Sequence, residues 1–482
     1  MNMRIKRNIT ASLLTAAFLL AGVQAGAKVQ LPSIISDNMV LQQQTDAALW
    51  GTAEPGAKVT VKASWNKKAK YSTTADKETG RWMLKVATPE AGGPYEIRIS
   101  DGEAVTLKNV LIGEVWFCSG QSNMEMPMKG YGSQPALGSE DVIVGAKASR
   151  QLRICNVSKQ SSTAPKDSCE AVWNENTPEA VANTSATAYY FADALQAAID
   201  VPVGIIVSCW GGTPINTWMS REVIEKEFPN FSTLHLDGKA PMRNNFQEPC
   251  LLYNGMVHPL EPYTFKGMIW YQGEADLYNP DLYIRMQKSY VEMMREKFQV
   301  PEAPFYFVQI APWWYGDTEG DHVGKFNVAQ QKSLSVIPFS GMAPTCDIGE
   351  CYVIHPRNKQ AVGKRLAFQA LTKNYGFDKA IEADGPAFKS VEYKDGKAFV
   401  KFSTRNGLSP LNEQVSGFEV AGADKIFHPA EAYVRENGIV EMSCAEVPEP
   451  VAVRYCFRNW CVGTVFNCSG IPALPFRTDD WE

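Results

Sequence analysis

An α/β core with a β-rich module at each end is the fold class the sequence predicts. Between about residues 110 and 380, apolar runs of strand length alternate with helical periodicities, whereas the chain before and after alternates with period two. The length agrees, since 482 residues exceed one ordinary domain and suit about three. With 45% apolar and 21% charged residues, the chain can bury a core and does not have a disordered composition.

The first segment, 1–27, reads as an export signal. Arg4, Lys6 and Arg7 form a positive start, residues 9–23 are an apolar stretch without a charge, and small residues around Ala25 and Ala27 suit a signal peptidase. Fifteen helical residues span about 22 Å, short of a roughly 30 Å hydrocarbon core, so cleavage is expected rather than stable membrane insertion. The expected location is the bacterial periplasm or the exterior. Residues 28–109 follow as a small β-sandwich. Residues 58–63 and 95–99 alternate with period two, and Gly56, Gly80, Gly92-Gly93-Pro94 and Asp101-Gly102 punctuate them as turns.

From 110 to 380 the strand-length runs are 110–118, 203–209, 267–271, 305–310 and 342–345. Leu282, Met286, Tyr290, Met293, Met294 and Phe298 share one helical face, as do Val362, Leu366, Ala370 and Leu371, with Pro356 suited to that helix's first turn. Buried strands alternating with helices imply a parallel sheet covered on both faces. Period two returns at 397–402, so 381–482 forms a second β-rich module.

Composition narrows the function. A net charge of −5 leaves no basic surplus for a phosphate backbone, so nucleic acid is not an expected partner. The eleven cysteines include no CxxC, their neighbourhoods lack zinc-type histidines, and HExxH is absent, so no metal or organic cofactor is called for. In an exported protein some cysteines can pair, but an odd number leaves at least one thiol free. Cys118 and Cys209, each ending an apolar run, read as buried small hydrophobes.

Open α/β sheets bind ligands outside the carboxyl ends of their strands. The first such end delivers Ser119-Gly120-Gln121-Ser122-Asn123, the second Trp210-Gly211-Gly212-Thr213, the third Gln272-Gly273-Glu274-Ala275-Asp276 and the fifth Asp347, followed by His355. A hydroxyl, a base, a carboxylate and oxyanion donors are the parts of an acyl-transfer site. Ser122 is not in GxSxG, which argues against an α/β-hydrolase elbow. Of the five histidines, His235, His258, His322 and His428 do not follow the last parallel strand, leaving His355 as the candidate base. Asn254 is a candidate substrate contact that equally suits an Asn-Gly turn. Arg357 and Lys359 can meet a sugar carboxylate or stand as solvated helix-start charges, and Trp210, Trp270, Trp313 and Trp314 are candidates for stacking on sugar or for core filling.

These residues also carry a resemblance. Residues 120–126 (GQSNMEM) resemble the nucleophile block of SGNH-type carbohydrate esterases, specifically the sialate O-acetylesterase family. The stretches 202–218 (PVGIIVSCWGGTPINTW), 253–260 (YNGMVHPL), 266–276 (KGMIWYQGEAD) and 355–366 (HPRNKQAVGKRL) agree in the same order, as do 37–42 and 473–479 near the two ends. The resemblance implies a flavodoxin-like SGNH catalytic domain of three α/β/α layers and hydrolysis of O-acetyl esters on sugars. It implies Ser122 as nucleophile, His355 as base, Ser122, Gly212 and Gln272 as oxyanion donors, and Glu274 as charge partner. One departure stands out. The family commonly has Asp two residues before the histidine, where this chain has Val353, and the wider group keeps an acid three before, where Tyr352 stands. Glu274, Asp347 or a backbone carbonyl is left to orient the imidazole. Acetylated xylan or pectin is the alternative substrate, and a glycan-binding relative with a decayed site is the alternative function.

Overall fold

The computed structural model describes residues 29–481, so the expected export signal lies outside the described residues. Ala104–Gly120 organises the rest. Its first half pairs antiparallel with Gly92–Ser100 in the N-terminal β-rich part, and its second half is the central strand of a parallel sheet. The boundary expected at 109/110 therefore falls inside one continuous strand. The Gly-Gly-Pro expected as a turn instead opens the strand Gly92–Ser100, where the register shifts between Gly92 and Tyr95. A bulge accommodates residues a regular ladder would reject. Asp46–Thr52 and Arg81–Ala87 pair separately, which makes this part a two-sheet arrangement.

The central sheet runs in the order Ser340–Ala343, Phe305–Val308, Gly267–Tyr271, Ala104–Gly120, Val203–Cys209, Leu152–Val157, Ala171–Glu175. Only the last joins antiparallel. The sequence reading lacked Leu152–Val157 and Ala171–Glu175, because Arg153 and Asn156 interrupt the apolar run of the first. Arg153 is nonetheless buried, with its guanidinium on the Leu152 carbonyl at 3.1 Å and paired with Glu175 at 3.4 Å.

Helices Ala186–Ile199 and Lys359–Asn374 cover one face of the sheet, while Pro280–Lys297 and His322–Val336 cover the other. This gives three layers, as expected. The apolar stripe of Pro280–Lys297 is Met286, Tyr290, Met293 and Met294, all buried. Lys359–Asn374 begins later than expected: Asn358, not Pro356, caps it, accepting the Ala361 N–H at 3.1 Å. The chain then forms a five-stranded and a four-stranded antiparallel sheet around a separate apolar core. Among the described residues all eleven cysteines are free thiols, with Cys118 and Cys209 buried. No helix among them is long and apolar enough to cross a membrane.

The central strand ends level with both neighbours, since Gly120 is opposite Cys209 on one side and Tyr271 on the other. There the backbone turns off the sheet with Gly120 at φ +142°, and a Cβ at that position would lie 2.2 Å from the Tyr271 carbonyl oxygen. Gly120→Ala is therefore expected to cost more than about 2 kcal/mol of unfolding free energy, measured by urea denaturation. A variant within about 0.5 kcal/mol of wild type would contradict this description of the turn.

Candidate active site

Three strands ending at one level bring three loops to one rim. From the central strand, Gln121 turns into a single helical turn, Ser122–Glu125. The Gln121 side chain reaches across, accepting the N–H groups of Gly273 and Ala275 at 3.2 Å each, and so ties the turn to the loop after Gly267–Tyr271. On the other side, Gly211 lies so close to Ser122 that a Cβ on it would meet the Ser122 Cβ at 3.0 Å. Its N–H donates to Glu125, whose carboxylate also holds Lys159 at 2.6 Å. Gly212 follows at φ +73°. The N–H groups of Ser122 and Gly212 have no partner among the described residues, and neither does the Ser122 hydroxyl. Two uncommitted donors and an uncommitted hydroxyl thus belong to turns that pack against each other.

His355 reaches this turn through Tyr131. The Tyr131 hydroxyl donates to the Ser122 carbonyl at 3.1 Å, and its ring meets the imidazole edge-on at 5.2 Å. The loop of His355 is also tied directly to the neighbour of Ser122, because Asn123 Nδ2 donates to the Ile354 carbonyl at 3.1 Å. Gln134 is the partner that the sequence reading did not find. Its Oε1 lies 2.6 Å from His355 Nδ1 and can only accept, so Nδ1 carries the hydrogen and Nε2 keeps its lone pair. Burial, together with the nearby Lys359 ammonium, lowers the imidazole pKa to about 4. His355 is therefore neutral at pH 7, in the form a general base requires.

Several expected roles need correction. Glu274 does not orient the imidazole. Its Oε1 accepts from Asn123 Nδ2 at 2.5 Å, and its Oε2 is buried without a hydrogen-bond partner. Burial raises its pKa, against the pull of the Asn123 hydrogen bond and Lys359. Asp347 is likewise committed elsewhere, gripping Arg365 with both oxygens at 2.8 and 2.6 Å. Gln272 is not a free oxyanion donor. Its amide nitrogen donates to the Thr213 carbonyl at 3.2 Å and to Asp276, a buried carboxylate whose pKa desolvation raises to about 6. Asn254 does not face substrate. It is buried in Tyr253–Val257, pinning Ser162 O at 3.1 Å and receiving the Lys166 N–H at 2.9 Å. Arg357 is exposed at the rim, 3.3 Å from Glu350. Trp270 is core, while Trp210 stacks on Phe246 at 5.0 Å with Lys159 over its ring.

Lys359 is neither a sugar contact nor a solvated charge. It is fully buried, donates to Asn123 Oδ1 and sits 5.2 Å from the Tyr271 ring. Burial lowers its pKa to about 7, opposed by Glu274 and Glu350. Asn123 thus has both ends of its amide engaged, by a buried cation on one and by Glu274 and Ile354 on the other. This fixes the residue next to Ser122. No His/Cys/Asp/Glu cluster that could hold a metal occurs among the described residues.

The family model described as "carbohydrate esterase, sialic acid-specific acetylesterase" matches residues 112–372. The mouse sialate O-acetylesterase is 27% identical over 518 aligned positions, covering 94% of each chain. The human sialate O-acetylesterase is 28% identical over 444, covering 85% of this chain and 83% of its own. Among solved structures, a carbohydrate acetylesterase from Xanthomonas citri superposes with a TM-score of 0.82 at 32% identity, covering 94% of this chain and 100% of its own.

The hydrogen bond from His355 to Gln134 makes a prediction independent of catalysis. In Gln134→Glu a carboxylate faces Nδ1 and favours the imidazolium, so the His355 midpoint followed by NMR should climb from about 4 toward its ordinary 6.5. An unmoved midpoint would remove Gln134 as the partner.

Proposed function

Because the chain belongs to the sialic acid-specific acetylesterase family of carbohydrate esterases, and is thus a carboxylic ester hydrolase, we propose that it removes O-acetyl groups from sialic acid through a serine acyl-enzyme. In this reading His355 Nε2 takes the proton of Ser122 Oγ as the oxygen attacks the acetyl carbonyl. The developing oxyanion is held by the N–H groups of Ser122 and Gly212. The sugar oxygen leaves with the proton returned by His355, and water, activated by the same imidazole, releases acetate from Ser122. The observation that supports the reading is the packing of the Gly211-Gly212 turn against Ser122, where the hydroxyl of Ser122 and the N–H groups of Ser122 and Gly212 have no partner among the described residues.

A neutral amide in place of the usual acid has a consequence. Gln134 fixes the tautomer and the ring's direction, but it does not stabilise the imidazolium formed during proton transfer as a carboxylate does. The reading also places the enzyme outside the cytoplasm of a bacterium. The charged start and uncharged apolar run of residues 1–27 support that location.

Purified enzyme should release acetate from 9-O-acetyl sialic acid faster than from acetylated xylan. Ser122→Ala should lose at least about 10³-fold in kcat. Equal turnover by that variant would dismiss Ser122, and a preference for xylan would move the substrate class. The base must be neutral to act, so kcat/KM should hold through mildly acid pH and fall as pH drops through about 4. An inflection near 6.5 would mean that the free enzyme's imidazole is not held as described.

A further inference from the structure

Beside His355 lies an aromatic surface that the ester chemistry does not use. Tyr352, three residues before the base, is 77% exposed, and Trp314 is 37% exposed. Their rings meet edge-on at 5.9 Å, and the Trp314 N–H donates to the Cys351 carbonyl at 3.2 Å, which joins the two loops. Both sides are braced. Trp313 packs edge-on against Trp314 at 6.4 Å and against Tyr315 at 4.6 Å. The Glu350 carbonyl accepts the Val353 N–H at 3.2 Å, and its carboxylate takes the Arg357 N–H at 3.0 Å.

Two large aromatic rings held open to water are unfavourable unless something covers them, and such surfaces mark ligand sites. Three residues of chain span at most about 10 Å, which keeps the Tyr352 backbone within one sugar ring or two of His355. A pyranose suits such a surface, since its C–H face is apolar and its edge hydroxyls stay in water. We propose that Trp314 and Tyr352 form a subsite for a neighbouring sugar ring of the glycan that carries the acetyl ester. This rests on the Ser122–His355 esterase reading and deepens it: the preferred substrate is an acetylated oligosaccharide rather than a free acetylated monosaccharide.

The test measures kcat and KM for wild type, Trp314→Ala, Tyr352→Ala and Tyr352→Phe on an O-acetylated sialyl-oligosaccharide, with 4-nitrophenyl acetate as reference. In both alanine variants the ratio of kcat/KM for the oligosaccharide to that for the chromogen should fall about fivefold to tenfold, carried by KM. Tyr352→Phe should keep the wild-type ratio, because the ring and not the hydroxyl is used. An unchanged ratio in the alanine variants, or a proportional loss on both substrates, would overturn the subsite while leaving the esterase intact. Wild type that releases acetate from the chromogen but from no sugar would overturn the reading beneath it and the subsite together.

Discussion

The site depends on one constraint, the close approach of three strand ends. Gly120, opposite both Cys209 and Tyr271, leaves no room for a Cβ beside the Tyr271 carbonyl, and Gly211 leaves almost none beside Ser122. Two positions without side chains let three loops meet at one rim. The Ser122 turn is then gripped from both neighbours, through the Gln121 amide on one side and Glu125 on the other. The free N–H groups of Ser122 and Gly212 follow from that packing.

The electrostatics of the rim differ from those of a serine triad. The imidazole faces an amide instead of a carboxylate, and its burial, with the Lys359 charge nearby, favours the neutral ring. The carboxylate of the site, Glu274, accepts from the Asn123 side chain instead. With Lys359 and Asn123 it forms a buried polar chain that fixes the residue after Ser122, and Asn123 also holds the carbonyl of Ile354 next to His355. Buried groups of opposite charge bridged by one amide are costly to break singly, because each loss leaves a desolvated partner. The site therefore keeps its geometry through this chain and the tautomer and direction of the imidazole through Gln134.

Much of this was legible in the sequence, and the boundary is physical. Strand-length apolar runs located the parallel sheet, and the rule that ligands sit at carboxyl ends selected Ser122, Gly212 and His355 from 482 residues. Leu152–Val157 escaped because a buried arginine interrupts the apolar pattern that reveals strands. Glu274 and Gln272 were read as chemical groups because they stand at a strand end, but proximity in sequence does not reveal which neighbour claims a side chain. Asn123 claims one, and Thr213 with Asp276 the other. Gln134 carries no local signal. It lies in a loop far along the chain from the base, and only the folded arrangement brings it to Nδ1. The missing acid at Val353 was visible, whereas its replacement by an amide was not.

The most direct test of the central claim is covalent trapping of the nucleophile. An alkyl fluorophosphonate is attacked at phosphorus by an activated serine oxygen and loses fluoride, and the labelled peptide is identified by mass spectrometry. One phosphonyl group is expected, on the peptide carrying Ser122, with labelling that fades as pH falls through about 4 and His355 becomes protonated. Active enzyme that stays unlabelled at Ser122, or takes the label at another serine, would contradict it.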